Sequence, residues 1–259
     1  MSIARDKAPE RRHRIARARS LADRHPAVAD PLKFYAGVLE VQQQIGDQWP
    51  SLQPGPSLST ALPGLITGLM GIARPALARE LATLPLDDRW PALLDDYWQS
   101  GGRVTNEANE LSLFVMDTLI APFAERSAQA DAGARAAEDR PYQCPWCSAP
   151  PSVAVLREEG HGGRRSLLCG WCLREWATPR LVCIACGESR FDALPVFSAA
   201  ELQAVRVDVC ETCHVYLKTI DLTRDGGAMP LVDDLATLPL DLWAREGGYR
   251  RLRPNALRI

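Results

Sequence analysis

The sequence predicts an α+β protein of several domains: an all-α N-terminal domain, two small β-rich four-cysteine ribbon modules and a C-terminal helix. Three observations predict this fold class. Apolar residues recur at helical spacing before about residue 127. All eight cysteines lie between residues 144 and 213, in four C-x-x-C pairs. Short β-like runs separate these pairs.

The predicted divisions are a basic, solvated and mobile lead-in segment over 1–27, a helical domain ending in a linker over 28–140, a first module over 141–182, and a second module with the C-terminal helix over 183–259.

Four helical stretches are expected in the N-terminal domain, beginning near Asp30, Pro63, Trp90 and Thr105. Asp30 precedes a first-turn proline, and Thr105 can cap the last stretch with Glu107 in its first turn. Pro75 is expected to kink or divide the second stretch. The aromatic residues of these stretches are predicted to be core residues. Residues 127–141 are rich in alanine and charge, and we interpret them as a frayed helix end followed by a linker.

Beyond residue 140 the pattern changes to strands. The expected strands are SVAVLRE, RRSLLC, LVCIAC, AVRVDVC and HVYLKTIDL. The tail PLVDDLATLPLDLWAREGGY is predicted to be a terminal helix, with Asp233 or Asp234 acting as a cap rather than as a catalytic carboxylate pair. Lys218 is expected to be an exposed position outside the ligand set.

Composition excludes several classes of protein. The chain has 259 residues, of which 46% are apolar and 24% charged, an ordinary globular composition. Residues 141–259 carry 14 basic and 14 acidic side chains, whereas nucleic-acid-binding domains usually show a basic excess. We therefore expect no nucleic-acid partner. No apolar run is long enough to span a membrane and none follows the pair Arg11-Arg12, so we expect no membrane insertion, no secretion signal and a cytoplasmic location.

The cysteine spacing predicts two metal sites, because each C-x-x-C turn supplies two thiolates and a tetrahedral site needs four. The spacers between pairs are 21, 10 and 23 residues long. The long ones leave room for a hairpin, so consecutive pairs are expected to share an ion. A cross-braced arrangement, first pair with third and second with fourth, is the alternative. The expected ligand sets are Cys144, Cys147, Cys169 and Cys172 for one ion, and Cys183, Cys186, Cys210 and Cys213 for the other.

These sites point away from catalysis. Four cysteines around one ion leave no coordination position for a substrate, so we expect that the protein is not an enzyme. The simplest interpretation is that the ions hold together modules that are too small for a sufficient core. Zinc and iron both accept four thiolates. His214 follows Cys213 and could compete as a ligand, but eight cysteines already fill two sites, which favours a position at the surface or behind the ligands.

Four motifs, CPWCSAPPSVAVL, LLCGWCLREW, VCIACGESR and CETCHVYLKTIDL, resemble the formate dehydrogenase accessory protein family, FdhE. The resemblance is strongest over residues 142–222, and FYAGVLEVQ and GYRRLRPN extend it. It implies a helical domain before two rubredoxin-like modules, two iron ions (or zinc) on the eight cysteines, and a cytoplasmic maturation factor. The implied partner is the catalytic subunit of respiratory formate dehydrogenase before its export. Rubredoxin-like turns usually place glycine after the second cysteine, whereas here Ser148, Leu173 and His214 accompany Gly187 at these positions.

Two other functions compete with this expectation. Tandem C-x-x-C pairs are also typical of zinc-ribbon proteins that bind nucleic acid or the ribosome, although the balanced charge of residues 141–259 offers little attraction for phosphate. A rubredoxin-like electron carrier is the second alternative, and the identity of the metal distinguishes it.

Overall fold

The computed structural model describes residues 11–103, 108–130, 142–160 and 162–259. The predicted α+β fold class is confirmed, with helices first and a β region carrying the cysteines afterwards. The predicted cap Thr105, with Glu107, and most of the predicted linker lie outside the described residues. The N-terminal helices are α1 (Arg11–Arg24), α2 (Ala29–Gln48), α3 (Leu62–Ile72), α4 (Pro75–Ala82), α5 (Trp90–Gln99) and α6 (Glu110–Ala130).

Pro75 divides the second helical stretch, as the sequence indicates. Ala73 and Arg74 have extended backbone, with ψ angles of 151° and 153°, and α4 then begins at the proline. A proline disfavours helical backbone at the residue before it, so α3 cannot run on into α4. The break lets the apolar faces of both helices pack on the same core.

The prediction of a solvated lead-in segment is wrong for residues 11–24, which form α1 and pack against α2. Ala18 and Leu21 are buried on the face that meets α2. Arg14 donates from Nη2 to both carboxylate oxygens of Glu125 on α6, at 2.8 Å each. The many arginines of this segment suggested solvation, but the small apolar residues between them recur at helical spacing and bury one face.

The strands form one continuous sheet. They are β1 (Pro151–Glu159), β2 (Gly162–Cys169), β3 (Glu175–Ala177), β4 (Val196–Ser198), β5 (Val205–Val209), β6 (Val215–Asp221) and β7 (Arg250–Arg251). Their order is β3-β2-β1-β6-β5-β4, and β7 also pairs with β6. β1 and β6 run parallel, with Ala154 opposite Thr219. The two cysteine-containing halves therefore share a sheet, and the module boundary between residues 182 and 183 stays a prediction.

Four of the five expected strands are present, but the prediction of a strand at LVCIAC is wrong. Residues 181–186 contain no strand, because Cys183 and Cys186 form a tight turn that uses the backbone groups a ladder would need. The short edge strands β3 and β4 were not predicted, since three residues carry too little alternation to be recognised.

The predicted terminal helix is instead two helices, α7 (Pro230–Ala236) and α8 (Leu238–Glu246). Thr237 between them has φ −111° and ψ 32°, and Pro239 lies in the first turn of α8. Asp233 does act at the start of α7, where its Oδ2 accepts a hydrogen bond of 2.7 Å from the Met229 N–H. Asp234 is instead buried among cationic side chains.

The expectation that Lys218 is exposed is wrong, because its relative exposure is 0%. Lys218 lies on β6 and is covered by α7 and α8, where its ammonium group forms ion pairs with Asp234 and Asp241. Nothing local in HVYLKTIDL indicates this burial, which depends on how the last two helices fold back over the sheet.

One hydrophobic core joins the helices to the first cysteine pairs. Leu39 and Leu119 belong to the same cluster of buried residues as Cys144, Trp171 and Leu217. Apolar packing therefore continues across the predicted boundary near residue 140. Of the helices in the described part of the chain, none combines the length and the apolar character that crossing a membrane requires.

Candidate metal centres

The four C-x-x-C pairs share one backbone arrangement. In each, the N–H of the first cysteine donates to the carbonyl oxygen five residues later, as in Cys144 to Ala149 at 2.8 Å and Cys183 to Glu188 at 2.8 Å. The residue after the second cysteine donates back to the carbonyl oxygen of the first, over distances of 2.9–3.1 Å. These paired bonds fold each turn so that both sulfurs project to one side.

The missing glycines do not change this geometry. Ser148, Leu173 and His214 have φ angles of 58°, 58° and 53°, in the left-handed region that Gly187 also adopts at 79°. For residues with a side chain this conformation costs about 1–2 kcal/mol each. The turns are therefore maintained against local backbone preference, which a metal cross-link between two turns can offset.

The structure brings consecutive pairs together, rather than the cross-braced alternative. Within each group of four cysteines, the Sγ atoms all lie within 4.8 Å of one another. In the first group, Cys144 Sγ is 3.4 Å from Cys172 Sγ, and Cys147 Sγ is 3.4 Å from Cys169 Sγ. In the second, the separations are 3.6 Å for Cys183 and Cys213 and 3.7 Å for Cys186 and Cys210. The β1–β2 hairpin joins the first two turns, as the long spacer suggested.

These distances fit a tetrahedral ion. A metal–sulfur distance of about 2.3 Å places ligand sulfurs about 3.8 Å apart. The donors are four sulfurs in each group, a set that suits zinc or iron and not magnesium or calcium. His214 is not in either group; it is exposed, and its ring centroid lies 6.0 Å from that of Tyr249.

The groups differ in burial. All four cysteines of the first group are buried, whereas in the second Cys186 is exposed and Cys213 half-buried. Burial raises the pKa of Cys183 above its ordinary value, although the N–H groups of Cys186 and Ala185 oppose that shift. Without a metal, this thiol is therefore neutral at physiological pH, and binding an ion must release its proton.

Tryptophans enclose the first group. Trp146 and Trp171 lie within its two turns, and both rings pack on Trp98 of α5, with centroid distances of 5.8 and 5.6 Å. The chain after α5 also approaches closely, since a Cβ at Gly101 would lie 2.3 Å from the Ser148 carbonyl oxygen. The sequence analysis missed this junction, although tryptophan occurs in the turns of this group alone, in C-P-W-C and C-G-W-C.

Asp117 on α6 was also missed. Its Oδ1 accepts hydrogen bonds from Tyr97 Oη at 2.9 Å and from Trp171 Nε1 at 2.7 Å. Arg253 and Arg258, from the C-terminal segment, donate to its two carboxylate oxygens at 2.9 Å each. Asp117 is the one acidic residue in SLFVMDTLIAPF, and a charge inside so apolar a helix was the available signal.

Because the groups differ in burial, the second should react first. We expect iodoacetamide with a chelator to modify Cys186 and Cys213 at least about tenfold faster than the cysteines of the first group. Reagents reach the second group directly, but reach the first only when the junction with α5 opens. Mass spectrometry of the cysteine peptides over time measures the rates, and equal rates in both groups would contradict the expectation.

Comparisons with known proteins agree with this architecture. A family model described as the FdhE C-terminal domain matches residues 181–258. A protein FdhE homolog of Aquifex aeolicus is 39% identical over 113 residues, which is 43% of this chain and 40% of that relative. A homolog of Stutzerimonas stutzeri is 32% identical over 277 residues, covering 94% of this chain and 88% of that protein. The crystal structure of the FdhE protein from Pseudomonas aeruginosa superposes with a TM-score of 0.74 at 26% identity, covering 97% of each chain.

Proposed function

The chain belongs to the FdhE family of formate dehydrogenase accessory proteins, and we propose that it is a non-enzymatic maturation factor for a respiratory formate dehydrogenase. In this proposal it binds the catalytic subunit in the cytoplasm, before that subunit is exported. The similarity to the Stutzerimonas homolog, which extends over 94% of the chain, supports an accessory role for the whole protein rather than for one module.

The observation that carries the proposal is the closed geometry of both cysteine groups. Each group supplies four sulfurs to one point and leaves no ligand position for a substrate. We propose an iron ion in each group, with zinc as the alternative that the same donors accept. A bound ion would supply a tetrahedral cross-link between two turns. The chain itself then fixes the sheet and the surfaces around those turns.

A surface near the second group offers a place for the partner. Phe197 on β4 and Trp243 on α8 pack with ring centroids 4.8 Å apart, and the two residues are 39% and 40% exposed. We call these two residues the β4–α8 apolar surface. It adjoins an edge of the sheet, where backbone groups of β4 face away from β5. Apolar patches and free sheet edges are common sites of protein association, and we place the catalytic subunit here.

A pull-down with the catalytic subunit as bait tests the surface. We expect the double variant Phe197→Ser/Trp243→Ser to reduce capture at least about tenfold, because exposed apolar side chains contribute to binding but little to folding. The matched control replaces two exposed apolar residues elsewhere, Met70→Ser/Leu86→Ser, and should be captured like the wild type. Capture of the first variant at wild-type level would reject the surface.

A deletion strain tests the function separately. We expect the deletion strain to lose formate-dependent dye reduction. The wild-type chain and the Met70→Ser/Leu86→Ser control should both restore this activity. If the strain keeps full activity and the wild-type protein does not capture the subunit, the accessory role is wrong. A zinc-ribbon function would then be the better interpretation.

A further inference from the structure

Arg253 packs on Trp171, which lies in the second turn of the first cysteine group. Its relative exposure is 7%, and its guanidinium carbon is 4.7 Å from the centroid of the Trp171 ring, which lies between Cys169 and Cys172 in the sequence. Nη2 donates to Asp117 at 2.9 Å, while Nη1 is buried and has no hydrogen-bond partner within the described structure. A buried guanidinium N–H without a partner is costly, so the charge must be stabilised by its surroundings.

Other charged side chains lie around Arg253 and the first cysteine group. Asp117 pairs with both Arg253 and Arg258, and Arg258 also pairs with Glu110, whose side chain is 77% exposed. Across Trp146 lies a further cation, Arg174, whose guanidinium carbon is 5.7 Å from that ring centroid. The first group therefore has a cation over each of its two tryptophan rings, Arg253 over Trp171 and Arg174 over Trp146.

A loaded tetrathiolate centre has the opposite charge. Four thiolates around a divalent ion carry a net charge of −2, and in the first group no cysteine is exposed to water that could screen it. Burial opposes the charge of Arg253, but Asp117, Tyr97 and the sulfurs of Cys169 and Cys147 favour it, and its pKa is raised. The second group differs because Cys186 is exposed, so water screens part of its charge.

We propose that Arg253 is the counter-charge of the first four-cysteine centre, and that Asp117 limits its effect by pairing with it. The proposal rests on metal binding at the first group but not on the accessory function. Arg253 is a positioning residue and not a metal ligand. Its positive charge acts on the metal centre across the Trp171 ring. Because it belongs to the C-terminal segment, metal occupancy of the first group also strengthens the contact of that segment with α6.

Site-resolved zinc affinities of the full chain test the proposal. The protein is equilibrated in zinc-buffered solutions and pulsed with iodoacetamide. Protection of each cysteine peptide, relative to the same peptide of the metal-free protein, reports the occupancy of its group. We expect Arg253→Gln to weaken zinc binding at the first group roughly ten- to a hundredfold and to leave the second unchanged. Arg253→Lys, which keeps the charge, should restore most of the affinity. Arg190→Gln, an exposed arginine beside the second group, is the control and should change neither.

A second variant, Asp117→Asn, distinguishes an electrostatic role of Arg253 from a packing role, because the two roles predict different changes in zinc affinity. Asp117→Asn removes a negative charge that competes for Arg253, so zinc affinity at the first group should equal or exceed that of the wild type. If Arg253 only packs on Trp171, both Arg253→Gln and Asp117→Asn should weaken the site. The proposal is overturned by wild-type affinity in Arg253→Gln, by weakening in Asp117→Asn, or by a loss shared equally by both groups.

Discussion

Replacing Cys169 with serine is expected to destabilise the whole protein, and not merely to remove one ion. Cys169 has 0% relative exposure and belongs to the same buried cluster as the apolar residues of α2 and α6. Structural zinc sites contribute apparent binding energies of about 10–16 kcal/mol. Since a folded domain is stable by only about 5–15 kcal/mol, loss of the ion that we propose for this group should remove most of that stability.

Near-UV circular dichroism and calorimetry measure this effect. We expect Cys169→Ser to lose the tryptophan signal of Trp98, Trp146 and Trp171 and to melt at a much lower temperature than the wild type. Cys210→Ser, the matched ligand variant in the second group, should lose one ion but keep that signal, because its group lies at the surface and outside the tryptophan cluster. Equal melting temperatures for the two variants would contradict the different burial of the groups.

The second large effect is expected at Lys218, in a buried group of four charges. Its Nζ lies 2.9 Å from Asp234 Oδ1 and 2.6 Å from Asp241 Oδ2. Arg251 also pairs with both carboxylates, at 2.7 Å each, so two positive charges balance two negative ones. Tyr216 completes the cluster by donating its hydroxyl to Asp241 at 2.8 Å. This network ties β6 and β7 to the last two helices.

We expect Lys218→Met to lower the free energy of unfolding by about 3–5 kcal/mol, because it leaves two buried carboxylates opposite one arginine. Urea denaturation measures the change. The double variant Lys218→Met/Asp241→Asn restores the charge balance and should recover part of the loss. The ion pairs would matter little if Lys218→Met were as stable as the wild type. The same would follow if the double variant lost as much free energy of unfolding as the two single variants, Lys218→Met and Asp241→Asn, lose together.

This cluster also has a defined dependence on pH. Burial raises the pKa of Asp234, but Arg251 and Lys218 outweigh it and hold that pKa below its ordinary value of 3.8. The contribution of Asp234 to stability is therefore complete above that ordinary value, and is lost as the pH falls through the lower pKa of the folded state. Between pH 5 and 7, Asp234 should not change stability.

The sequence alone determined the local features of this protein. Pro75 ends α3 because proline restricts its own backbone and that of the residue before it, whatever surrounds it. Alternating apolar residues placed β1, β2, β5 and β6, and the long spacers grouped consecutive C-x-x-C pairs. Each of these features depends on residues close together in the chain, where spacing and backbone preference suffice.

Only the tertiary structure decided how those features are buried and paired. Arg253 meets Asp117 across 136 residues of sequence, and Arg17 meets Asp233 across 216. The same long-range packing makes α1 part of the core, buries Lys218 beneath α7 and α8, and encloses one cysteine group while leaving the other at the surface. Two C-x-x-C pairs look alike in sequence because the turn is local, but the dielectric environment and accessibility of their sulfurs are set by distant parts of the chain that pack over them.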